Sequence, residues 1–408
     1  MHQTRRIVVV GAGYAGLATA LRLARQADQR LRIDLVDGRS EHQLITRLHE
    51  VAAARLTPAA AAIPLRQLLD GSGIHLHAAW LDGIDLNRGE VRTNHGRLAY
   101  DRLVLAPGTT PDFRDVPGAA THALPLRTLE DAVRLRDTLA RQVQRAANAC
   151  GIERQSLMTF LVVGGGYTGV ELAGELATRL PVLARRFGVG HDEIRIGLIE
   201  AMGRILPAQP GWMRRCATDA LQHMQVDIFL SSPVRSVDAA YVIVEGGRVR
   251  AGTVIWTTGS RAPEWLAEAG LQVGCAGRAR VDSHLAAIGH PEIAILGDAA
   301  LAHDPSGVQL PASAQVAVQQ AEYLADRLLG RPADERGFVA HILGEALSLG
   351  PDRGLARVRG LPLVNRPALL VKRLAHLRYL DSLGGPHLGL EQLTREYCPV
   401  QASCRPRT

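Results

Sequence analysis

Ile7-Val8-Val9-Val10-Gly11-Ala12-Gly13-Tyr14-Ala15-Gly16 and Phe160-Leu161-Val162-Val163-Gly164-Gly165-Gly166-Tyr167-Thr168-Gly169 are one pattern written twice. Each is a short apolar run ending in G-x-G-x-x-G. Such a run suits a strand buried in a parallel sheet. After Gly13, the residues Leu17, Ala20, Leu21 and Ala24 recur at helical spacing. Arg32–Asp37 then alternates as a second strand ending on an acid, Asp37. The later copy has its own second strand, Arg195–Glu200, ending on Glu200.

This strand–turn–helix order gives each glycine a task. The first (Gly11, Gly164) allows the tight turn, and the second (Gly13, Gly166) lets the backbone approach a pyrophosphate. The third (Gly16, Gly169) lets helix and strand pack closely. Tyr14 and Ala15 in one copy, and Tyr167 in the other, stand where the helix N-terminus offers free N–H groups to phosphate. Asp37 and Glu200 are placed to accept hydrogen bonds from a ribose diol. Such an acid repels a 2′-phosphate, so Glu200 favours NADH over NADPH, with Arg204 four residues on to soften that preference. Two loops imply two dinucleotides held at once, and the commonest use of such a pair is hydride transfer from a nicotinamide to a flavin. The expected fold class is α/β, with two Rossmann-like dinucleotide-binding domains and a C-terminal α-rich extension.

Bulk properties agree with a multidomain globular chain. Its 408 residues are 47% hydrophobic and 21% charged, enough for two or three domains. The formal net charge is +7. From Pro351 to Thr408 there are ten Arg or Lys against four Asp or Glu, or +6, so the rest is near neutral. No basic stretch is interleaved with aromatics in the manner of single-strand nucleic-acid binders, so no nucleic-acid partner is expected. No run approaches the roughly 18–20 apolar residues of a membrane span. The expected location is cytoplasmic, at most peripheral to the inner membrane. Cys150, Cys216, Cys275, Cys398 and Cys404 form neither C-x-x-C nor a metal-ligand cluster, so no metal is expected.

Three further segments carry a resemblance. Tyr100–Gly108 (Tyr-Asp-Arg-Leu-Val-Leu-Ala-Pro-Gly) resembles a strand ending in Ala-Thr-Gly, with Pro107 in place of Thr. Thr253–Pro263 includes the turn Thr257-Thr258-Gly259. Ile293–Asp298 ends in Gly297-Asp298. With the two loops, these resemble the flavoprotein pyridine-nucleotide oxidoreductases over Arg5 to about Leu329. The resemblance implies FAD on the first loop, with Ala106, Gly108, Gly297 and Asp298 around it, and NAD on the second, with Gly259 at the return turn. It also implies domains of 1–124 with 261–332 for FAD, 125–260 for NADH, and 333–408 as a C-terminal region for membrane association or dimerisation.

Within that family, disulfide, peroxidase and coenzyme A branches need cysteines after the first unit, and Arg39–Arg55 has none. The chain resembles the type II NADH:quinone oxidoreductases instead. Leu44–Ala53 is similar to their segment beside the flavin, with Arg47 where Pro is common. Gly164–Glu175 and the crossover Pro117–Ala132 are similar as well, as is Pro311–Gln320. The resemblance places Ala314, Gln315 and Gln319 at a quinone pocket. Gln315 and Gln319 are i, i+4, so both amides face one way. Glu171, on the first turn of its helix, either relays a proton or favours the helix dipole. Tyr167 either lids the flavin or packs as an ordinary loop residue.

Pro367–Leu383 sets Leu370, Leu374, Leu377 and Leu380 on one face and Lys372, Arg373, His376 and Arg378 on the other. That basic amphipathic helix suits a lipid surface, the protein's own core or a second subunit. The expected function is FAD-dependent transfer of electrons from NADH to a quinone. The alternatives are a soluble diaphorase or reductase of a small electron-carrier protein, and an FAD/NADH redox-sensing binding protein.

Overall fold

The computed structural model describes residues 5–26, 31–332, 334 and 336–397. Contacts divide the chain into two compact units: Met1–Gln43 with Ile63–Thr110 and Ser260–Ile342, and Leu44–Ala62 with Pro111–Gly259 and Leu343–Thr408.

The first unit is built on six strands in the order Ala286–Ala287, His290–Ile295, Arg102–Leu105, Arg5–Val10, Leu31–Asp37 and His75–Ala78. The last five run parallel. Ile7, Val8, Val9, Leu35, Leu103 and Leu105 are fully buried on it, as expected for β-branched and leucine runs covered on both faces. Helix Tyr14–Ala24 packs along helix Ala314–Leu328. Small residues on both, including Ala15, Gly16, Ala20, Ala317, Ala321 and Ala325, permit close approach.

One polar residue sits in this sheet. Asp34 is fully buried and accepts from Arg6 Nε (2.7 Å) and Arg32 Nε (3.1 Å), with His77 Nε2 at 2.7 Å. Burial pushes its carboxyl pKa up, but Arg6, His77 and Arg32 outweigh this and hold it at about 2. Because the folded pKa is depressed, the stabilisation is complete above the ordinary carboxyl pKa and is lost as pH falls through about 2. Asp34→Asn is expected to cost about 3 kcal/mol at neutral pH. Urea unfolding at pH about 7 and about 3 checks this, with the gap between the two proteins narrowing at the lower pH.

The second unit has five parallel strands, ordered Ala123–Pro125, Thr253–Trp256, Thr159–Val163, Arg195–Ile199 and Val226–Phe229. Period-two alternation divides its two cores. Phe160, Val162, Ile196 and Leu198 meet helices Leu129–Ala147 and Tyr167–Arg186. Leu161, Val163, Ile199 and Trp256 meet a three-stranded antiparallel sheet, Val234–Val237, Tyr241–Val244 and Gly247–Arg250. Helix Leu129–Ala147 starts at a capping box: Thr128 Oγ1 accepts from Asp131 N, and Asp131 Oδ2 accepts from Thr128 N.

Three features depart from the reading of the sequence. Leu44–Ala62 was expected with the FAD-binding domain, yet Leu48, Val51, Ala52 and Leu56 share the second unit's core with Leu135, Leu139 and Leu176. The C-terminal region is not simply helical: antiparallel strands Gly344–Ser348, Gly354–Val358 and Leu361–Val364 precede helix Arg366–Tyr397. That helix breaks at Gly384 and Gly385, before Pro386. It also faces differently. Ala368, Lys372, His376, Leu380 and Leu383 form the inward stripe, while Leu370 and Leu374 are more than half exposed. Helical spacing had grouped Lys372 with the solvated residues; Glu171, described below, draws it inward. Cys398 and Cys404 lie outside the described residues, and Cys150, Cys216 and Cys275 are free thiols.

Candidate functional site

The two glycine loops are built alike. In the first unit, Asp37 Oδ2 accepts from Ala12 N (2.6 Å) and Oδ1 from Arg39 N (2.8 Å). In the second, Glu200 Oε2 accepts from Gly165 N (2.6 Å) and Oε1 from Met202 N (2.8 Å). Each acid therefore clamps the middle of its loop to the turn after its own strand. Each carboxylate oxygen still has a lone pair for a ribose hydroxyl.

The glycines separate into two kinds. A Cβ at Gly16 would lie 1.8 Å from Gly11 O, and one at Gly169 1.9 Å from Gly164 O. These positions are glycine because the protein itself fills the space. Gly13 and Gly166, at the helix N-caps, have ordinary negative φ, and a Cβ there would meet nothing within 4 Å. No protein atom demands glycine at either. A phosphate group resting on the helix N-terminus would demand it.

The other residues expected near a flavin gather in the first unit. Ala106 O lies 2.3 Å from the place a Gly11 Cβ would occupy, and Gly108 follows with φ +70°. Gly297 approaches Ala15, and its N–H donates to Gln320 Oε1 at 2.7 Å. Asp298 lines a narrow cleft with Ser313 and Gln320. Ser313 caps the helix that begins at Ala314, its Oγ accepting from Val316 N. His42, fully buried, lies with Nδ1 2.9 Å from Ala12 O, its ring edge-on to Tyr14. Burial drops its pKa to about 4, so His42 is neutral and braces the loop. His42 belongs to no motif, and Gln320 is legible in the sequence only as the end of the Pro311–Gln320 segment.

Gln315 and Gln319 do face one way, but both are engaged. Each Nε2 donates to His341 O, at 3.0 and 2.9 Å, and Gln319 Oε1 accepts from His341 N. In the second unit, Gly259 takes φ +76°, where a Cβ would stand 2.5 Å from Asp112 O. The Tyr167 ring packs on the core, and burial pushes its phenol pKa up.

Glu171 is the centre of a buried polar chain within the second unit. Its Oε1 accepts from Lys372 Nζ (2.5 Å), Ser348 N (2.9 Å) and Ser348 Oγ (3.3 Å). Lys372 Nζ also donates to Ser348 Oγ (2.7 Å). His49 stands alongside, with Nδ1 3.8 Å from Glu171 Oε2 and Nε2 3.4 Å from Lys372 Nζ. Burial tends to raise the Glu171 pKa, but Lys372, His49 and the Ser348 N–H together hold it below the usual carboxyl range. Burial drops His49 to about 4. At neutral pH Glu171 is therefore a carboxylate and His49 a neutral imidazole.

One turn on, fully buried Glu175 accepts from Arg55 Nε at 2.9 Å. Arg55 reaches Glu50 (3.1 Å), Glu50 pairs with Arg47 (2.6 Å), and Arg47 reaches Glu396 on the C-terminal helix (2.9 Å). Arg47, where the resembled family commonly has Pro, is thus the tie between the Leu44–Ala62 segment and that helix. The only signal for this cluster in the sequence was charge set within an Ala/Leu-rich stretch. Its members are separated by up to 349 residues.

Residues 5–321 match the profile of the pyridine nucleotide-disulphide oxidoreductases. The chain belongs to that family. Arg39–Arg55, the segment after the first βαβ unit, holds no cysteine. It is 29% identical over 403 residues, 95% of this chain and 98% of the relative, to a type II NADH:quinone oxidoreductase of Staphylococcus haemolyticus. A Staphylococcus aureus enzyme of that name is 28% identical over 95% of the chain and 98% of its own length. The fold matches NDH2 from Plasmodium falciparum in complex with NADH at a TM-score of 0.84 and 16% identity, covering 97% and 99% of the two chains. It also matches the sulfide:quinone oxidoreductase of Aquifex aeolicus at 0.76 and 18%, covering 97% and 96%.

Proposed function

We propose that this oxidoreductase carries FAD on the Gly11–Gly16 loop, takes a hydride from NADH bound at the Gly164–Gly169 loop, and passes two electrons to a quinone. The observation that carries this reading is the pair of glycines, Gly13 and Gly166, whose missing side chains leave space that only a ligand would use. FAD, when bound, accepts the hydride and releases the electrons. The protein's residues bind and orient. Asp37 and Glu200 set the two ribose ends, and Gln320 fixes Gly297 beside Asp298. Gln315 and Gln319 hold the 341 main chain at the acceptor side. Glu171, ionised and paired with Lys372, is the group placed to take a proton. The quinone assignment is supported by the relatives' names and by the lack of a thiol relay after the first unit.

Anaerobic stopped-flow tests the whole reading. NADH should bleach the yellow protein, and a short-chain quinone should restore the colour as fast as turnover requires. Bleaching without recovery would move the acceptor from a quinone to a protein carrier.

Nucleotide choice rests on Glu200. Glu200→Gln removes the charge that receives the ribose hydroxyls and repels a 2′-phosphate. The expected result is an NADH KM raised about tenfold, with kcat little changed and the NADPH penalty narrowed. Steady-state kinetics with both nucleotides checks it.

Among the described residues, no helix is long and apolar enough to cross a membrane. The exposed Leu370, Leu374 and Leu390 on a helix that also carries Arg366, Arg373 and Arg378 support attachment to an anionic lipid surface. Replacing the three leucines with serine should reduce co-sedimentation with anionic vesicles at least about tenfold, since each lost apolar contact removes roughly 1 kcal/mol or more. NADH bleaching should be unaffected.

A further inference from the structure

The second unit's sheet holds a cavity along the face that carries Thr159, Leu161, Arg195, Gly197, Asp227 and Phe229. Thr159 and Arg195 are the first residues of their strands, and both line it, whereas the loop follows the last residue of Thr159–Val163. Phe229, the last residue of its strand, also lines the cavity, which therefore runs along the strands toward the loop end. The cavity measures about 360 Å³, within the range that holds small molecules.

Its floor carries Leu161 and Phe229 with the Asp227 carboxylate beside them. Leu161, Gly197 and Asp227 sit side by side in register. A Cβ on Gly197 would lie 2.7 Å from Leu161 Cδ2 and 3.0 Å from Phe229 Cε2. Glycine there lets the leucine and the phenylalanine ring lie over the strand.

Its wall is cationic. Arg195, Arg248 and Arg250 all reach it, and Asp227 is the one carboxylate among its lining residues, three charges against one. Among the described residues none of these three guanidiniums is ion-paired with a carboxylate. The same antiparallel sheet pairs Arg235 with Glu245 at 2.8 Å, so arginine there is not unpaired by default. Arg248 and Arg250 stack on the Tyr241 ring, 4.8 and 4.5 Å from its centroid, and Arg250 also donates to its hydroxyl. Stacking holds a guanidinium's plane while leaving in-plane N–H donors for a phosphate or carboxylate.

We propose that this cavity is a second small-molecule site for a dianionic phosphate ester on a flat body, of nucleoside-monophosphate size. The phosphate lies on Arg195, Arg248 and Arg250. The planar body lies on the Leu161–Gly197–Phe229 floor, with Asp227 accepting a hydroxyl or amino hydrogen. The assignment is independent of which acceptor the flavin serves.

AMP is the probe, titrated calorimetrically into the FAD-loaded protein. With the nicotinamide site saturated by NAD⁺, one AMP should still bind per chain, and binding should persist in Gly166→Val, whose dinucleotide loop is blocked. Adenosine should bind at least about tenfold more weakly, lacking the charge. The double variant Arg195→Ala/Arg248→Ala should weaken AMP at least about thirtyfold, through two lost charge-assisted contacts, while oxidising NADH at the unaltered rate. Three results would overturn the proposal: no AMP binding to the parent protein, binding lost in Gly166→Val, or binding indifferent to the double variant. Inorganic phosphate matching AMP in affinity would overturn the role given to the floor.

Discussion

Gly13→Val is expected to give a folded, colourless protein, and Gly166→Val a yellow one that NADH does not bleach. A Cβ at either glycine meets nothing within 4 Å, and neither residue has a positive φ. The substitutions should therefore leave the thermal midpoint of the protein stripped of FAD almost unchanged. They place methyl groups where a pyrophosphate must approach the helix N-terminus. Loss of those phosphate contacts should weaken each nucleotide by at least about a hundredfold, since charge-assisted bonds contribute roughly 1.5–3 kcal/mol apiece. Gly16→Ala is the contrasting control. Its Cβ would stand 1.8 Å from Gly11 O, an overlap that only backbone movement relieves. It should lower stability as well as flavin content, by about 1–3 kcal/mol. Flavin absorbance after gel filtration, with calorimetry on the stripped proteins, separates the two kinds of glycine. A yellow Gly13→Val protein that NADH reduces normally would show that the first cradle does not hold the flavin's phosphates.

This contrast also shows where the sequence was informative. The loops were legible because their chemistry is local. The β-branched run, the three glycines and the terminal acid lie in short order, and each is required by backbone geometry within a few residues. The structure returned those elements within a residue or two and added the reason for the acids, whose carboxylates clamp Ala12 and Gly165. The three C-terminal strands are not legible from alternation alone, because Gly344–Val364 lacks a clean alternation and is broken by Gly350, Pro351 and Pro362. The helix after them was legible, but which of its stripes turns inward was not. Periodicity tells which residues share a stripe and is silent on which stripe turns inward. Leu370 and Leu374, on the leucine stripe, are exposed. The stripe that turns inward carries Lys372 and His376, because a lysine stem can bury its methylenes while delivering its ammonium to a buried acid. Nothing near Glu171 in sequence announces that its partner lies 201 residues away.

That partner supports the second large prediction. Lys372 is the only lysine among 47 basic residues, and it sits where a compact point charge is needed. Its Nζ reaches Glu171 Oε1 and Ser348 Oγ together, at 2.5 and 2.7 Å, with His49 at 3.4 Å. Lys372→Met should destabilise the protein by about 3–5 kcal/mol at pH about 8, because it leaves the buried Glu171 carboxylate without its cation. With Lys372 gone, burial dominates and the Glu171 pKa should rise instead of lying low. The sign of the pH dependence follows. In the parent protein the depressed Glu171 pKa contributes stability that is present above the usual carboxyl range and is lost as pH falls through the folded value. The variant's carboxyl is neutralised at higher pH, so its deficit should shrink steadily on going from about pH 8 to about pH 5. Glu171→Gln in the Lys372→Met background should recover part of the loss, since the stranded charge is then removed. Lys372→Arg should not behave as a conservative change, for a planar fork does not fit where one nitrogen serves two oxygens on a buried wall. Urea unfolding of the four proteins at the two pH values decides it. Equal deficits at both pH values would mean that Lys372 acts through packing alone and that Glu171 is already uncharged, which would also remove it from any role as the group awaiting a proton.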